Sequence, residues 1–379
     1  MYFSDTEKER RHGLLREKMK REGIDCLLVI GTTANGGSVG PGSFRYLTDF
    51  FLLASEGLLL FFADSDPVLW VVNDIHEHHA LKKSWIKDVR ISSHYAPEVA
   101  AVLKQRKKGE ARLGVSSLKN LSASIYDFLR KDLPSLEFID ADPVLLEMRI
   151  PKSPEEQKML TQAADIVDQG FRAVLTAIKP GVTERELVGV LEGVHRGKGC
   201  DRTFNLISSG AFPRPNKDES AVFMWYPSAR EIKKGDVIVL EMTAAYAGYW
   251  NQLVRAVGVG EKNQELFAFH QALLKSIKAG VDTMKPGIRT SDYVDAMGRS
   301  AEAMGYTLKP PVGHYAGLDL IEARVNPGID VILKQGASAI IHPTLDRDGV
   351  RLFWGETYLA EGKGALRLNT TGDELIVVS

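Results

Sequence analysis

The sequence predicts an α/β domain with a mixed sheet, followed by a second, α+β domain built on a duplicated unit. Three observations predict it. At 379 residues the chain exceeds what one core ordinarily fills. Up to residue 148, short apolar strands alternate with helices, the pattern of an α/β domain. Beyond it, Ile178-Lys179-Pro180-Gly181-Val182 recurs 106 residues later as Met284-Lys285-Pro286-Gly287-Ile288, and each copy leads into a helix that closes at a glycine, Gly199 or Gly305. The domains are therefore drawn as 1–148 and 149–379.

In chain order, residues 5–24 carry Leu14, Leu15, Met19 and Ile24 at helical spacing among charges. Cys26-Leu27-Leu28-Val29-Ile30 reads as a buried strand, and the stretch Gly31 to Gly42, with five glycines, as a loop. Gly57–Phe62 and Pro67–Val72 flank the polar turn Ala63-Asp64-Ser65-Asp66 and form a hairpin. Helices fit 74–84, 96–107 and 119–131, between strands at Val89-Arg90-Ile91, Arg112–Val115 and Leu136–Ile139. Ser153-Pro154 followed by Glu156 is a helix start: serine caps, proline suits the first turn, and glutamate returns a bond to the cap. That helix runs to about Ile178. Gly235–Thr243 and Gly248–Arg255 then form an apolar, β-branched hairpin that carries Glu241 and, eleven residues on, Gln252. Polar groups on a buried strand are costly unless something pairs with them.

Composition excludes several classes. Lys+Arg (48) and Asp+Glu (49) nearly cancel, so nothing points to nucleic acid. Cys26 and Cys200 lie far apart without CxxC spacing, against a disulfide framework or a thiolate zinc site. The N-terminus is charged and lacks an apolar core for a signal peptide, and the apolar run Phe50–Phe62 is broken at Ser55-Glu56-Gly57. A cytoplasmic location without membrane partners is expected. The glycine loop lacks a following Lys-Ser/Thr, so it does not read as a phosphate cradle.

Chemistry-bearing candidates concentrate in the second domain: Glu241, Gln252, His314, His342 and Glu356. Two histidines and two carboxylates suffice for acid/base work or for one metal ion. Bland readings stand beside this one. A histidine after an apolar run is more often structural, Glu241 could meet Arg255 across the hairpin, and Glu356 could be superficial. His195, His270 and the group His76, His78 and His79 read as solvated on charged helical faces.

At the hairpin the sequence resembles the creatinase/prolidase/methionine aminopeptidase superfamily, aminopeptidase P included. Its C-terminal domain is the duplicated pita-bread fold. Phe44-Arg45-Tyr46-Leu47-Thr48-Asp49-Phe50, Arg149–Glu156 and Gly313-His314-Tyr315-Ala316-Gly317 are similar to segments of that family, and the resemblance covers nearly the whole chain. It implies a creatinase-like N-terminal domain, a homodimer, and Xaa-Pro dipeptidase-like hydrolysis. Family peptidases hold two divalent ions with Asp, Asp, His, Glu and Glu. Here those positions carry Glu241, Gln252, His314, His342 and Gly355, or Glu356 with a one-residue shift. Ile321 stands where a further family histidine is expected, and Asn216 stands near another. A neutral amide does not bridge two dications.

The expectation is a C–N hydrolase of a small polar substrate with no cofactor, or at most one divalent ion on His314, His342 and Glu241. Glu241, His314, His342 and Glu356 would be catalytic, and Gln252, Asn251 and Asn216 would hold substrate. The alternatives are a one-metal hydrolase or lyase, and a non-enzymatic binding module on the same fold.

Overall fold

The computed structural model describes residues 2–32, 42–213, 224–325 and 330–379. Most of the predicted glycine loop, and Asn216, lie outside the described residues. The chain forms two compact units, Met1–Arg149 and Ile150–Ser379, the second starting one residue beyond the boundary drawn from sequence.

The first unit opens on α1 (Asp5–Glu22). Ser4 caps it by accepting from the Glu7 N–H, and Gly23, at φ 64°, closes it by donating to Lys20 and Met19 carbonyls. Then follow β1 (Cys26–Thr32), α2 (Gly42–Thr48), β2 (Glu56–Phe62), β3 (Val68–Val71), α3 (Asp74–Lys83), β4 (Asp88–Ile91), α4 (Tyr95–Gln105), β5 (Arg112–Val115), α5 (Ala123–Asp132), β6 (Glu137–Asp140) and α6 (Asp142–Arg149). The sheet runs β4-β3-β2-β1-β5-β6. β1–β2 and β2–β3 are antiparallel, whereas β1–β5, β3–β4 and β5–β6 are parallel, so the sheet is mixed. β1 and β2 are apolar at nearly every position because both of their faces are covered. Leu28, Leu60 and Trp70 pack with Val99 and Leu103 of α4 and Leu129 of α5.

The second unit begins with α7 (Pro154–Ala177), whose capping box joins Ser153 and Glu156 reciprocally. It continues with α8 (Glu184–Gly197), β7 (Arg202–Thr203), β8 (Leu206–Ala211), β9 (Asp236–Tyr246), β10 (Tyr249–Val259), α9 (Gln264–Val281), α10 (Thr290–Glu302), β11 (Thr307–Lys309), β12 (Gly313–Tyr315), β13 (Ala323–Val325), β14 (Ser338–Ile341), β15 (Thr344–Arg347), β16 (Val350–Phe353), β17 (Gly355–Glu361), β18 (Gly364–Arg367) and β19 (Ile376–Val378). The main sheet runs β13-β12-β14-β17-β10-β9-β7, with β8 on β9, β18 on β17 and β19 on β10. β11, β15 and β16 form a smaller sheet.

The duplication is visible in the backbone. Gly181 and Gly287 both take left-handed conformations, φ 90° and 96°. A side chain disfavours that region, which accounts for glycine after each Lys-Pro. Gly181 N–H donates to Ile232 O and Gly287 N–H to Leu333 O. Thr183 bridges Glu231 as Arg289 bridges Ile332. Ile238, Leu240 and Met242 of β9, with Leu253 and Val257 of β10, pack against Ile166, Phe171 and Val174 of α7 and Leu191 of α8. Phe269, Leu273, Tyr293 and Met297 of α9 and α10 gather with Tyr315, Ile341 and Tyr358. No described helix is long and apolar enough to cross a membrane.

His195 and His270 are not solvated, which corrects the sequence reading. Both are buried. His195 bonds Thr203 Oγ1 through Nδ1 at 3.1 Å, and a Cβ at Gly170 of α7 would stand 2.5 Å from its Nε2. His270 lies edge-on to Trp354, with ring centroids 4.6 Å apart. Their charged sequence neighbours occupy other faces of α8 and α9. Burial drops the His195 pKa to about 4 and lowers that of His270. His78 and His79 are exposed and His76 is half-buried.

Candidate functional site

The β9–β10 hairpin turns at Ala247-Gly248, both with positive φ (49° and 84°), the geometry that matches strand twist. Its register pairs Glu241 with Val254 and Thr243 with Gln252. Residues directly opposite share a face, and alternate residues along a strand share it too. Val254 pairs with Gly355 of β17, Thr357 with Ile340 of β14, and Ile340 with His314 of β12. Glu241, Gln252, Gly355, Thr357 and His314 therefore stand on one face of the sheet. His342 follows directly on β14. Its ring meets that of His314 with centroids 5.0 Å apart, and meets Phe353 at 4.8 Å.

The backbone of His342 fills the space beside Gly355. A Cβ at 355 would fall 2.0 Å from Ile341 O and 2.4 Å from His342 Cα. Only glycine fits there, and it brings no donor to the site.

Thr357 Oγ1 bonds the main chain of Gln252, at 3.1 Å to its N and to its O, but other polar atoms of this face lack partners among the described residues. Gln252 is fully buried, yet both of its side-chain amide atoms are unpaired, as are Nδ1 of His314 and Nδ1 of His342. A buried amide left unsatisfied costs on the order of 1–3 kcal/mol. Burial pushes the Glu241 carboxyl up to about 7. Burial brings His342 down to about 4 and His314 well below its ordinary value, and Arg324 lowers both further. Both imidazoles are therefore neutral near pH 7. Arg324 of β13 sits opposite His314 in register, is exposed, and makes no ion pair among the described residues. Sequence reading missed it, because only the β12–β13 pairing reveals its face.

Two predicted site residues stand elsewhere. Glu356 neighbours Gly355 on a strand, so its side chain takes the opposite face. There it pairs with Arg255 at 2.7 Å and Arg367 at 2.6 Å, and accepts from the Tyr358 hydroxyl at 2.8 Å. Asn251 neighbours Gln252 and is turned away for the same reason. It exchanges hydrogen bonds with Asn369 at 3.1 and 3.2 Å, and Asn369 donates to Asp168 of α7 at 3.1 Å. Neither reaches the face of Glu241. Glu322, next to Ile321, forms a buried ion pair with Lys152 at 2.9 Å.

Among the described residues, Glu241, Gln252, His314 and His342 bring one carboxyl, one neutral amide and two imidazoles to this face, and Gly355 brings no side chain. Among the described residues, no three His, Cys, Asp or Glu side chains gather as a metal-ion site.

Two family profiles match the chain. Metallopeptidase family M24 covers residues 158–371, and the creatinase/prolidase N-terminal domain covers 11–150. An Xaa-Pro dipeptidase of Pyrococcus horikoshii is 30% identical over 274 residues, 69% of this chain and 76% of that protein. A creatinase of a Bacillus species is 23% identical over 364 residues, 88% of this chain and 84% of its own. Among solved structures, the prolidase of Pyrococcus horikoshii is similar with a TM-score of 0.83 at 25% identity, over 97% of this chain and 100% of that one.

Proposed function

Because the chain belongs to metallopeptidase family M24, behind a creatinase/prolidase N-terminal domain, we propose that it hydrolyses a C–N bond in a small polar substrate without a two-ion centre. The observation that carries this reading is Gln252. Its donor and its acceptor are both buried and unpaired on the face that holds Glu241. Such an amide suits recognition of a substrate amide, amidine or carboxyl group, which would supply the missing bonds. It cannot supply the charge that a bridged metal pair needs.

Glu241, with a pKa near 7, takes a proton from water as the nucleophile adds to the carbon of the C–N bond. It returns that proton to the leaving nitrogen as the bond breaks. The unpaired Nδ1 atoms of His314 and His342 are available to hydrogen-bond the reacting group. Arg324, in no ion pair among the described residues, suits an anionic group on the substrate. The relatives support hydrolysis of C–N bonds: one is named Xaa-Pro dipeptidase and another creatinase. A homodimer belongs to the same proposal and rests on the family.

A second reading rests on the His314–His342 pair. Rings 5.0 Å apart would suit one shared ion, with Glu241 having to move in as third ligand, since the three do not gather as they stand. Metal content of chelator-free protein, measured with turnover of a panel of amides, amidines and dipeptides, decides between them. No bound metal together with EDTA-resistant turnover is the expected result. One equivalent, lost in His342→Ala, supports the second reading. Two equivalents per chain with metal-dependent turnover sinks both.

A further inference from the structure

In the first unit, a cavity of about 800 Å³ is walled by Lys8, His12, Gly13 and Arg16 of α1, by Lys87 just before β4, and by Arg106 just after α4. None of its four cations has an ion-pair partner among the described residues. Three carboxylates line the cavity as well. Asp88 is occupied by Arg90, at 2.8 and 2.7 Å, and Glu9 and Asp66, exposed like Lys87, are in no ion pair with the four cations among the described residues.

The two arginines are held in place by the turn between β2 and β3 and by aromatic faces. Arg106 donates from Nη1 to Ser65 Oγ at 3.0 Å and Asp66 O at 2.6 Å, with its guanidinium 4.1 Å from the Phe62 ring centroid. Arg16 donates to Ser65 O at 3.4 Å and lies 5.0 Å from the Phe61 centroid. Nε and Nη2 of Arg106 are left to donate elsewhere. His12 bonds Leu47 O at 2.8 Å, and burial first, then the charges of Arg16 and Lys8, brings its pKa down to about 4. It lines the cavity as a neutral group.

Gly13 sits in the interior of α1, where glycine is disfavoured, and a Cβ there would meet nothing within 4 Å. The missing side chain keeps that wall open. Like charges around one cavity repel, and an anion among them removes the repulsion. Guanidinium forks that are already fixed suit phosphate oxygens, and the volume lies in the range of small-molecule sites. From the four unpaired cations, the fixed arginine pair and the open wall at Gly13, we infer that this cavity binds a small phosphorylated molecule.

Isothermal titration of the full-length chain with inorganic phosphate and with ADP tests the assignment. Saturable binding is expected, tighter for ADP, and weaker as salt rises. Arg16→Gln is expected to weaken it at least tenfold. Gly13→Leu, which fills the wall without removing a charge and favours helix, is expected to abolish it. Circular dichroism checks that each variant is folded. If neither probe binds at millimolar concentration, or if both variants bind as the parent does, the assignment fails.

Discussion

The two faces of the sheet at β10 and β17 hold similar side chains in opposite conditions. On one, Asn251 is bonded to Asn369, and Glu356 meets two arginines and a tyrosine. On the other, Gln252 is equally buried and its amide bonds to nothing. Asn251 and Gln252 are consecutive amides on one strand, so neither propensity nor burial separates them. What separates them is what each faces: α7 and the chain after β18 for Asn251, an unfilled polar row for Gln252. Polar groups that complete one another stabilise a fold. Buried polar groups left unsatisfied call for an explanation, and under the proposed function a substrate supplies it.

The largest effect expected from breaking this contrast is in turnover. Glu241→Gln should lower kcat by about 10²–10⁴, the usual worth of a general base. The parent kcat/KM should rise with pH through an apparent pKa near 7, as the Glu241 carboxylate forms. Stability should move the other way. Between its ordinary 4.5 and its folded value near 7, this carboxyl keeps a proton in the native state that the unfolded chain gives up. Parent stability therefore falls as pH rises through that window. Glu241→Gln should be the more stable protein above pH 7, by up to about 3 kcal/mol at 1.36 kcal/mol per pKa unit, in urea unfolding at several pH values.

The opposite face should respond with stability alone. Glu356→Ala leaves Arg255 buried without its carboxylate, at a cost of about 3–5 kcal/mol. Its folded fraction should keep the parent kcat. A kcat lost with the fold intact would return Glu356 to the site.

Smaller effects sharpen the comparison. Gln252→Leu removes the unsatisfied amide and should stabilise the chain by about 1–3 kcal/mol while raising KM. A destabilised variant would mean the amide already has a partner. Smallest is Arg324→Gln, expected to raise KM about tenfold for anionic substrates and to leave neutral ones unchanged, consistent with one charge-assisted bond of roughly 1.5–3 kcal/mol.

Much of the fold is legible in the sequence because its signals are local. The Ser153–Glu156 capping box, the two Lys-Pro-Gly turns and the apolar hairpin each name their structure within a few residues. The site is less so, because a strand's face depends on its partners. Alternation along β10 already forbids Asn251 and Gln252 from sharing a face. The choice between Gly355 and Glu356 needed the register of β17 against β10. Arg324 needed a pairing across β12 and β13, with no turn signature between them to announce it. His195 and His270 needed the width of the buried faces of α8 and α9.

Gly355 limits how this chain can change. Its missing side chain is not spare room: the carbonyl of Ile341 and the Cα of His342 occupy it. Any side chain placed at 355 by one substitution would be driven into the main chain of the neighbouring strand. Position 355 can take up a new role only together with a shift of β14, so two elements that are far apart in sequence are bound to change as one.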